Sequence, residues 1–551
     1  MLTLCQQLRS RILGRRRVCA GAAAAARASR ERRVCMVVLT AQFTCYTMFA
    51  MKRIRSRRDF IAASACLAAT LDRSARAARL EDPPCNAAGE RVGEVQAQSA
   101  IVHTRLTLHP ERNNRGWSFP VHPHNLNTVS ELANIRIPDG LSVDDLEGAC
   151  PGQAGAVRLL WAADPNLSGA RSTEWFDVTS ATGFVHQFAL TGLSPSTRYW
   201  IAIETRAQKG GRTRRGGIST FRTAPAPDQW RPIKFHALSC QDYACRDLLD
   251  GFKTYRSLAA DPADFVCSIG DNVYYDLDLP FAVNKEIARF HWHRMYSQPR
   301  LMQVFRATPG YWLKDDHDSH EDDNWPDRPS QRVKPMTYTD LAPVFAEQVP
   351  MGPSTYRRAR WGKALELFFV ENRDFRSPNP ERDGPNHTLW GQRQKEWLKK
   401  ALLDSDADFR VLISPNCIVG PDPTHGPPFR YPGGGADSHG DGGYAFEARE
   451  FKQFIRDNRI PNFFTINGDR HWQYHSVDPE TGMREFCTGA VTDAHSVPDP
   501  VRDERAHRFL RPLGGYLSVA VEGTRQAPKL AFRLHSVTGE VKYEKIFGPA
   551  G

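Results

Sequence analysis

Residues 265–276 read FVCSIGDNVYYD. The first five are apolar or small, and Gly270 closes the run. Five residues are too few for a helix. A short apolar run ended by glycine reads as a strand buried on both faces. The residues after Gly270 are chemically different: a carboxylate, Asp271, then two phenols, Tyr274 and Tyr275, and a second carboxylate, Asp276. The layout recurs. Segment 233–238 runs into Ser239 and Cys240, segment 311–313 into KDDHD (314–318), and segment 463–466 into NGDRH (467–471). Further apolar runs cover 365–370 and 409–413, and GQRQKEWLKKALLDS (391–405) has amphipathic helical spacing. Strands alternating with helices predict an α/β domain. In such sheets ligands bind outside the carboxyl ends of the strands. Four strands that each end in metal-type ligands therefore predict one site at that edge.

The densest of these ends is WLKDDHDSHEDDNW (312–325). Six carboxylates and two histidines lie between Lys314 and Asn324. One lysine does not neutralise them, and like charges this close repel. Such a run is either a solvated loop or a loop held by cations. The other three strand ends favour cations. Asp318, Asp322 and Asp323 are left between two roles, supporting the ligands or meeting water.

Hydrophobic residues at 41% and charged residues at 25% describe a globular chain, and 551 residues exceed one ordinary core. The net charge of +11 is unevenly spread. Residues 1–79 carry 17 Arg and Lys against 3 Asp and Glu, which leaves the rest at −3. That excludes a phosphate-backbone-binding stripe on the main body, so no nucleic-acid surface is expected.

The basic leader has its own reading. Residues 51–77 are MKRIRSRRDFIAASACLAATLDRSARA. Arg57 and Arg58 precede Asp59 and Phe60, an apolar run comes next, and Ala75-Arg76-Ala77 is a small-x-small cleavage site. The segment resembles a twin-arginine export signal. Its apolar run is too short to span a membrane, and Ala63 stands where a lipobox at Cys66 needs leucine. Such signals stand near a chain's start. Residues 1–50 are therefore expected to be an unstructured upstream extension, with Met51 as the working first residue. The twin-arginine machinery exports folded proteins, to the periplasm or outside the cell, and suits a metal loaded in the cytoplasm. Seven of the twelve cysteines lie beyond residue 78. An odd number in an exported chain leaves at least one thiol free, available as a ligand.

Residues 78–225 read as β, with short runs at 157–162, 184–190 and 199–205. LSPSTRY (193–199) resembles the corner of fibronectin type III domains, where a Tyr hydroxyl bonds to upstream backbone. A small β-sandwich is expected here. GGRTRRGG (210–217) is expected to be a hairpin loop, and 223–227 a linker to a catalytic domain over 226–551.

Taken in order, SC (239–240), GDNVYYD (270–276), KDDHD (314–318) and NGDRHW (467–472) resemble the motif set of PhoD-type alkaline phosphatases. These belong to the calcineurin-like metallophosphoesterases. ENRDFR (371–376) and WGQRQKEWL (390–398) are similar to family stretches, and the likeness runs from about residue 100 to the C-terminus. The resemblance implies a four-layer α/β sandwich holding Fe(III) and Ca²⁺. It implies that Asp271 bridges two cations and that Tyr274, Cys240 and His471 ligate the iron. Asp469 and Asp316 serve the second cation, and His317 stands beside the leaving group. Asn324 is a candidate ligand of a further calcium ion. The chemistry of the donors agrees: phenolate, thiolate and imidazole suit Fe(III), and an all-oxygen set suits Ca²⁺. Zinc is the alternative at the first site, since Cys, His and Asp all serve it. A plain buried thiol is the alternative for Cys240.

The expected activity is hydrolysis of phosphate monoesters, with a hydroxide held between the cations attacking phosphorus in line. Arg373 and Arg376 are candidate clamps on substrate phosphate, against the alternative of ordinary salt bridges. A phosphodiesterase or phospholipase-like activity on the same centre is the alternative. A noncatalytic surface-binding protein with structural metals is the alternative of another class. A monomer is expected. His291 and His293, two apart on a helix, share no face. His425 and His439 fall in a Gly/Pro-rich loop.

Overall fold

The computed structural model describes residues 82–120, 135–420, 437–497, 500 and 502–548. The export signal, Met51 and His425 lie outside the described residues.

The larger sheet has nine strands. Their order is β21 (Val541–Phe547), β20 (Ala527–His535), β19 (Tyr516–Thr524), β9 (Ile233–Leu238), β10 (Phe265–Ile269), β11 (Gly310–Leu313), β1 (Arg91–Gly93), β2 (Ala100–Arg105) and β6 (Val185–Leu190). Strands β9, β10 and β11 are parallel neighbours, so their carboxyl ends share one edge. A second sheet has seven: β12 (Arg357–Trp361), β13 (Leu365–Phe369), β14 (Phe409–Ser414), β15 (Phe463–Asn467), β17 (Arg484–Thr488), β16 (Gln473–Val477) and β18 (His507–Arg511). Within it β13, β14, β15 and β17 are parallel.

The side-chain period of two explains the stacking. Phe265, Cys267 and Ile269 of β10 and Phe409, Val411 and Ile413 of β14 all enter the core between the sheets. The residues between them face outward. Val266 meets α1 (Lys253–Ala260), α2 (Lys285–Tyr296), α3 (Pro299–Ala307) and α4 (Tyr338–Gln348) in a second cluster. Leu412 meets α5 (Gly391–Asp404) and α6 (Ala445–Asp457) in a third. Both faces of each sheet are thus covered, which is why these strands read as unbroken apolar runs. The layers are helix, sheet, sheet, helix. Phe486 of one sheet stacks on Phe532 of the other at 4.0 Å. Truncating such a buried ring to Ala costs about 3–5 kcal/mol.

The N-terminal region joins this frame. A third sheet contains β4 (Arg171–Ser172), β3 (Gly155–Ala162), β7 (Arg198–Arg206) and β8 (Thr213–Arg222), with β5 (Phe176–Val178) beside β3. The Ser194 N–H donates to the Tyr199 hydroxyl at 3.0 Å, which is the corner contact read from LSPSTRY. The boundary expected at 225/226 marks a change of strand pattern but no gap in hydrogen bonding. β1 pairs in parallel with β11 through Gly93 and Gly310, and β2 and β6 extend the nine-stranded sheet. The small third sheet packs its Val157, Leu159 and Ile201 into the same core. The hairpin loop is also shorter than expected, because β8 already begins at Thr213.

Candidate metal centre

The ends of β9, β10, β11 and β15 converge where the two sheets meet. Gly468 marks the contact: a Cβ there would stand 2.3 Å from the Ile269 carbonyl oxygen and 2.8 Å from the Ser239 Cβ. Only glycine lets the strand ends come this close. Cys240, Asp271 and Asp469 each lie just past one of these strands, and each holds a left-handed backbone, with φ of 58°, 50° and 63°. For residues with a Cβ that conformation costs on the order of 1–3 kcal/mol. At each of the three turns the strained residue carries a metal-type side chain.

Those side chains meet. Ligand atoms of Cys240, Asp271 and His471 lie within 4.8 Å of one another, as do those of Asp271, Asp316 and His317, and those of Asp271, Asp315 and Asp469. Asp271 belongs to all three groups. Its Oδ2 is 3.5 Å from Cys240 Sγ and accepts from the Tyr274 hydroxyl at 3.3 Å. The ligand groups therefore surround one carboxylate. Asp315, overlooked in the sequence, is the one that joins Asp271 and Asp469.

The acidic run is buried from Lys314 to Glu321, so a solvated loop is excluded for that part. Lys314 pairs with Glu371 and Asp374 rather than with its own run. Asp318 accepts from Asn272 N at 2.9 Å and from Asp315 N at 2.7 Å, tying the β10 and β11 ends together. His317 Nδ1 and Asp276 Oδ1 are 2.7 Å apart, and the imidazole lies 4.3 Å from the Tyr274 ring. The Asn324 amide donates to the carbonyls of Asp316 and Glu321, both at 2.9 Å, and so shapes the loop.

Arg373 and Arg376 are not clamps open to a substrate. Arg373 donates to Asp315 Oδ1 at 2.5 Å and to both oxygens of Asp437 at 3.0 and 2.8 Å. Arg376 pairs with Asp437 Oδ1 at 2.8 Å and bonds Asn379 at 2.8 Å. Both are buried among carboxylates whose charge they offset. Asp437 had no signal in the sequence. Asn416 had one, because it lies just past β14 at the same edge; its amide donates to Asp315 and Asp469, each at 3.1 Å. His439 and His291, both noted in the sequence, serve neighbouring structure. His439 pairs with Glu447 at 3.1 Å, and His291 Nε2 lies 2.8 Å from the Pro280 carbonyl oxygen.

The electrostatics ask for cations. Burial, and then Asp316, push the Asp271 carboxyl well above the usual range. Burial, and then Asp271, do the same to the Cys240 thiol and the Tyr274 phenol. Burial would also raise Asp316, but Arg373 and His317 hold it ionised. Burial would lower His317, and Asp276 and Asp316 outweigh it and raise it. Oδ1 of Asp271, Oδ1 of Asp316 and Oδ1 of Asn324 are buried without a hydrogen-bond partner. A buried oxygen without a partner costs about 1–3 kcal/mol, more when charged, and a cation removes that cost. The donor set thus fits metal ions.

Two sheets flanked by helices, with a cluster of metal-type ligands at their carboxyl edge, define a metallophosphoesterase-type fold. Solved structures carry the same fold. The structure of PhoD superposes with a TM-score of 0.62 at 18% identity, covering 84% of this chain and 89% of that one. A purple acid phosphatase from yellow lupin (Lupinus luteus) seeds gives 0.55 at 10% identity, over 84% and 74%. The model of the PhoD-like phosphatase family matches residues 235–513, and the chain belongs to that family. It is 23% identical over 391 residues to alkaline phosphatase D of Bacillus subtilis (strain 168), a match covering 60% of this chain and 63% of that relative.

Proposed function

We propose that this chain is an exported, metal-dependent phosphatase that hydrolyses phosphate monoesters. The observation that carries the reading is Asp271, shared by three ligand groups and left with a buried, unpartnered oxygen. Family membership supports a phosphoric ester as substrate, and the name of the Bacillus relative supports a monoester. The twin-arginine segment supports export to the periplasm or beyond the cell. None of the helices among the described residues is long and apolar enough to cross a membrane.

Cations held by Cys240, Asp271, Tyr274 and His471 on one side, and by Asp271, Asp315, Asp316 and Asp469 on the other, would supply Lewis-acid charge to a phosphoryl group and its nucleophile. The donors suit Fe(III) on the first side, with zinc as the alternative, and Ca²⁺ on the second. His317 serves the leaving group. Asp276 holds its Nδ1, so Nε2 is the atom that gives a proton to the departing oxygen. Arg373 and Arg376 hold Asp315 and Asp437 in place, and phosphate recognition falls to the cations.

Elemental analysis of the purified protein, with turnover measured on nitrophenyl phosphate and bis(nitrophenyl) phosphate, tests the reading. Iron and calcium with a faster monoester reaction are expected. An active protein without bound metal overturns the mechanism, and a faster diester reaction overturns the substrate class.

A further inference from the structure

Behind Tyr274 lies a second layer of buried polar groups that the proposed mechanism does not use. His495 Nε2 is 3.0 Å from the Tyr274 hydroxyl. On the other side of the ring, His495 Nδ1 is 3.3 Å from Asp242 Oδ2. The His495 ring also stands 4.1 Å from the His471 ring and 5.2 Å, edge to face, from the Tyr274 ring. Asp242 is fixed in turn, because its Oδ1 accepts from the N–H of Ala244 at 2.7 Å and of Cys245 at 3.2 Å. All three members of the chain Asp242–His495–Tyr274 are buried, at 0%, 6% and 0% exposure. The sequence separates them widely: Asp242 lies just past β9, Tyr274 just past β10, and His495 sits on a short 3₁₀ turn at Asp493–His495.

We infer that Asp242 and His495 are positioning residues for the Tyr274 oxygen, a carboxylate–imidazole pair that sets where this ligand points. The inference rests on Tyr274 being a metal ligand, as proposed for the first cation. The physical argument is orientation. A phenol turns about its Cα–Cβ and Cβ–Cγ bonds, and the Tyr274 hydroxyl has one contact toward the centre, Asp271 Oδ2 at 3.3 Å. His495 supplies the second, from the opposite side. Asp242 stands against Nδ1, so Nε2 is the ring nitrogen that meets Tyr274. Outer partners of this kind, when removed, typically cost about 10–100-fold in metal affinity or activity. A competing reading of the same residues exists, because ligand atoms of Asp242, Cys245 and His495 also lie within 4.8 Å of one another and make a candidate cation site of their own. The positioning reading is favoured because each nitrogen of His495 already faces a partner in line with Tyr274.

The experiment measures metal retention by the full holoprotein against a chelator, whichever cation it carries as purified. His495→Phe and Tyr274→Phe should each speed metal loss by roughly 10–100-fold. The double variant should be no faster than Tyr274→Phe alone, because His495 acts through that oxygen. Asp242→Asn should move in the same direction by less. His495→Gln, whose amide group reaches near the Nε2 position and can either donate or accept there, should restore most of the retention and guards against a mere folding failure. Additive losses in the double variant, or normal retention in His495→Phe, overturn the positioning role and leave the Tyr274 ligand reading standing. Normal retention in Tyr274→Phe overturns both. Cys245→Ser should keep the metal content of the parent protein; loss of one equivalent there assigns these residues to a cation of their own and overturns the inference.

Discussion

Two sides of the ligand cluster handle buried charge differently. On one, Asp315, Asp316 and Asp437 gather round Arg373, whose guanidinium is fully enclosed by them. On the other, Cys240, Asp271 and Tyr274 meet each other, and among the described residues no Lys or Arg forms an ion pair with Asp271. The protein supplies a guanidinium of its own to part of the charge on the first side and offers none to Asp271 on the second. A pre-paired carboxylate is oriented before any metal arrives. An unpaired one is a ligand whose cost is relieved only on binding. Glu447, remote from the β10 end, shows the third way. It accepts from Leu389 N and Thr388 Oγ1, both at 2.6 Å, and pairs with His439, so a buried carboxylate is satisfied with no metal-type ligand cluster around it.

The sharpest break of this comparison is Asp271→Ala. If Asp271 is shared between cations, its removal should lower turnover by on the order of 10³-fold or more, since metal charge is worth several kcal/mol in a transition state. Metal per chain should fall in parallel by elemental analysis. Full metal content with low turnover would move Asp271 out of the ligand set.

His317→Ala should discriminate between substrates. An alkyl alcohol leaves poorly without a proton, and a nitrophenolate needs little help. Turnover of alkyl phosphates should fall by roughly 10²–10⁴-fold and of nitrophenyl phosphate by much less, with metal content unchanged. Equal losses on both substrates would remove the leaving-group role.

Arg373→Ala tests the self-neutralised side. Breaking a buried ion pair from one partner typically costs about 3–5 kcal/mol, read here as a shift in the denaturant midpoint of the metal-free protein. The same measurement on Tyr274→Phe should move by less than about 1 kcal/mol. If the two variants shift alike, the two sides handle charge in the same way.

The smallest effect concerns Glu447. Burial alone would raise its carboxyl, but its bonds to His439, Thr388 and Leu389 bring it down to about 2 from 4.5. A depressed folded value means stability that is complete above the unfolded value and is lost as pH falls from about 4.5 towards 2. The contribution is at most on the order of 3 kcal/mol. Glu447→Gln should flatten unfolding free energy against pH in that window, and an unchanged slope would show that other carboxylates set it.

Much of this was legible in order along the chain. The strands at 233–238 and 265–269 and the helix beginning at 391 were readable because period two and period 3.6 are local properties. That Cys240, Asp271, Tyr274, Asp316, His317, Asp469 and His471 would gather in one place was readable because the parallel strands deliver their next residues to one edge. For Arg373 and Arg376 the sequence left a substrate clamp and a salt bridge both open, since an arginine's partner is a matter of distance in space. Asp437 and Asp315 pair with Arg373 across 64 and 58 positions.

The sequence by itself determined that β9, β10, β11 and β15 would each present metal-type ligands, because burial on both faces and a break after each strand are written in consecutive residues. Only the tertiary structure decided that these ends meet around Asp271, that Arg373 serves the carboxylates, that Asp242 and His495 stand behind Tyr274, and that β1, β2 and β6 extend the nine-stranded sheet. Those outcomes depend on which strands pair and how closely the sheets approach at Gly468, and such contacts join residues that are not neighbours in the chain.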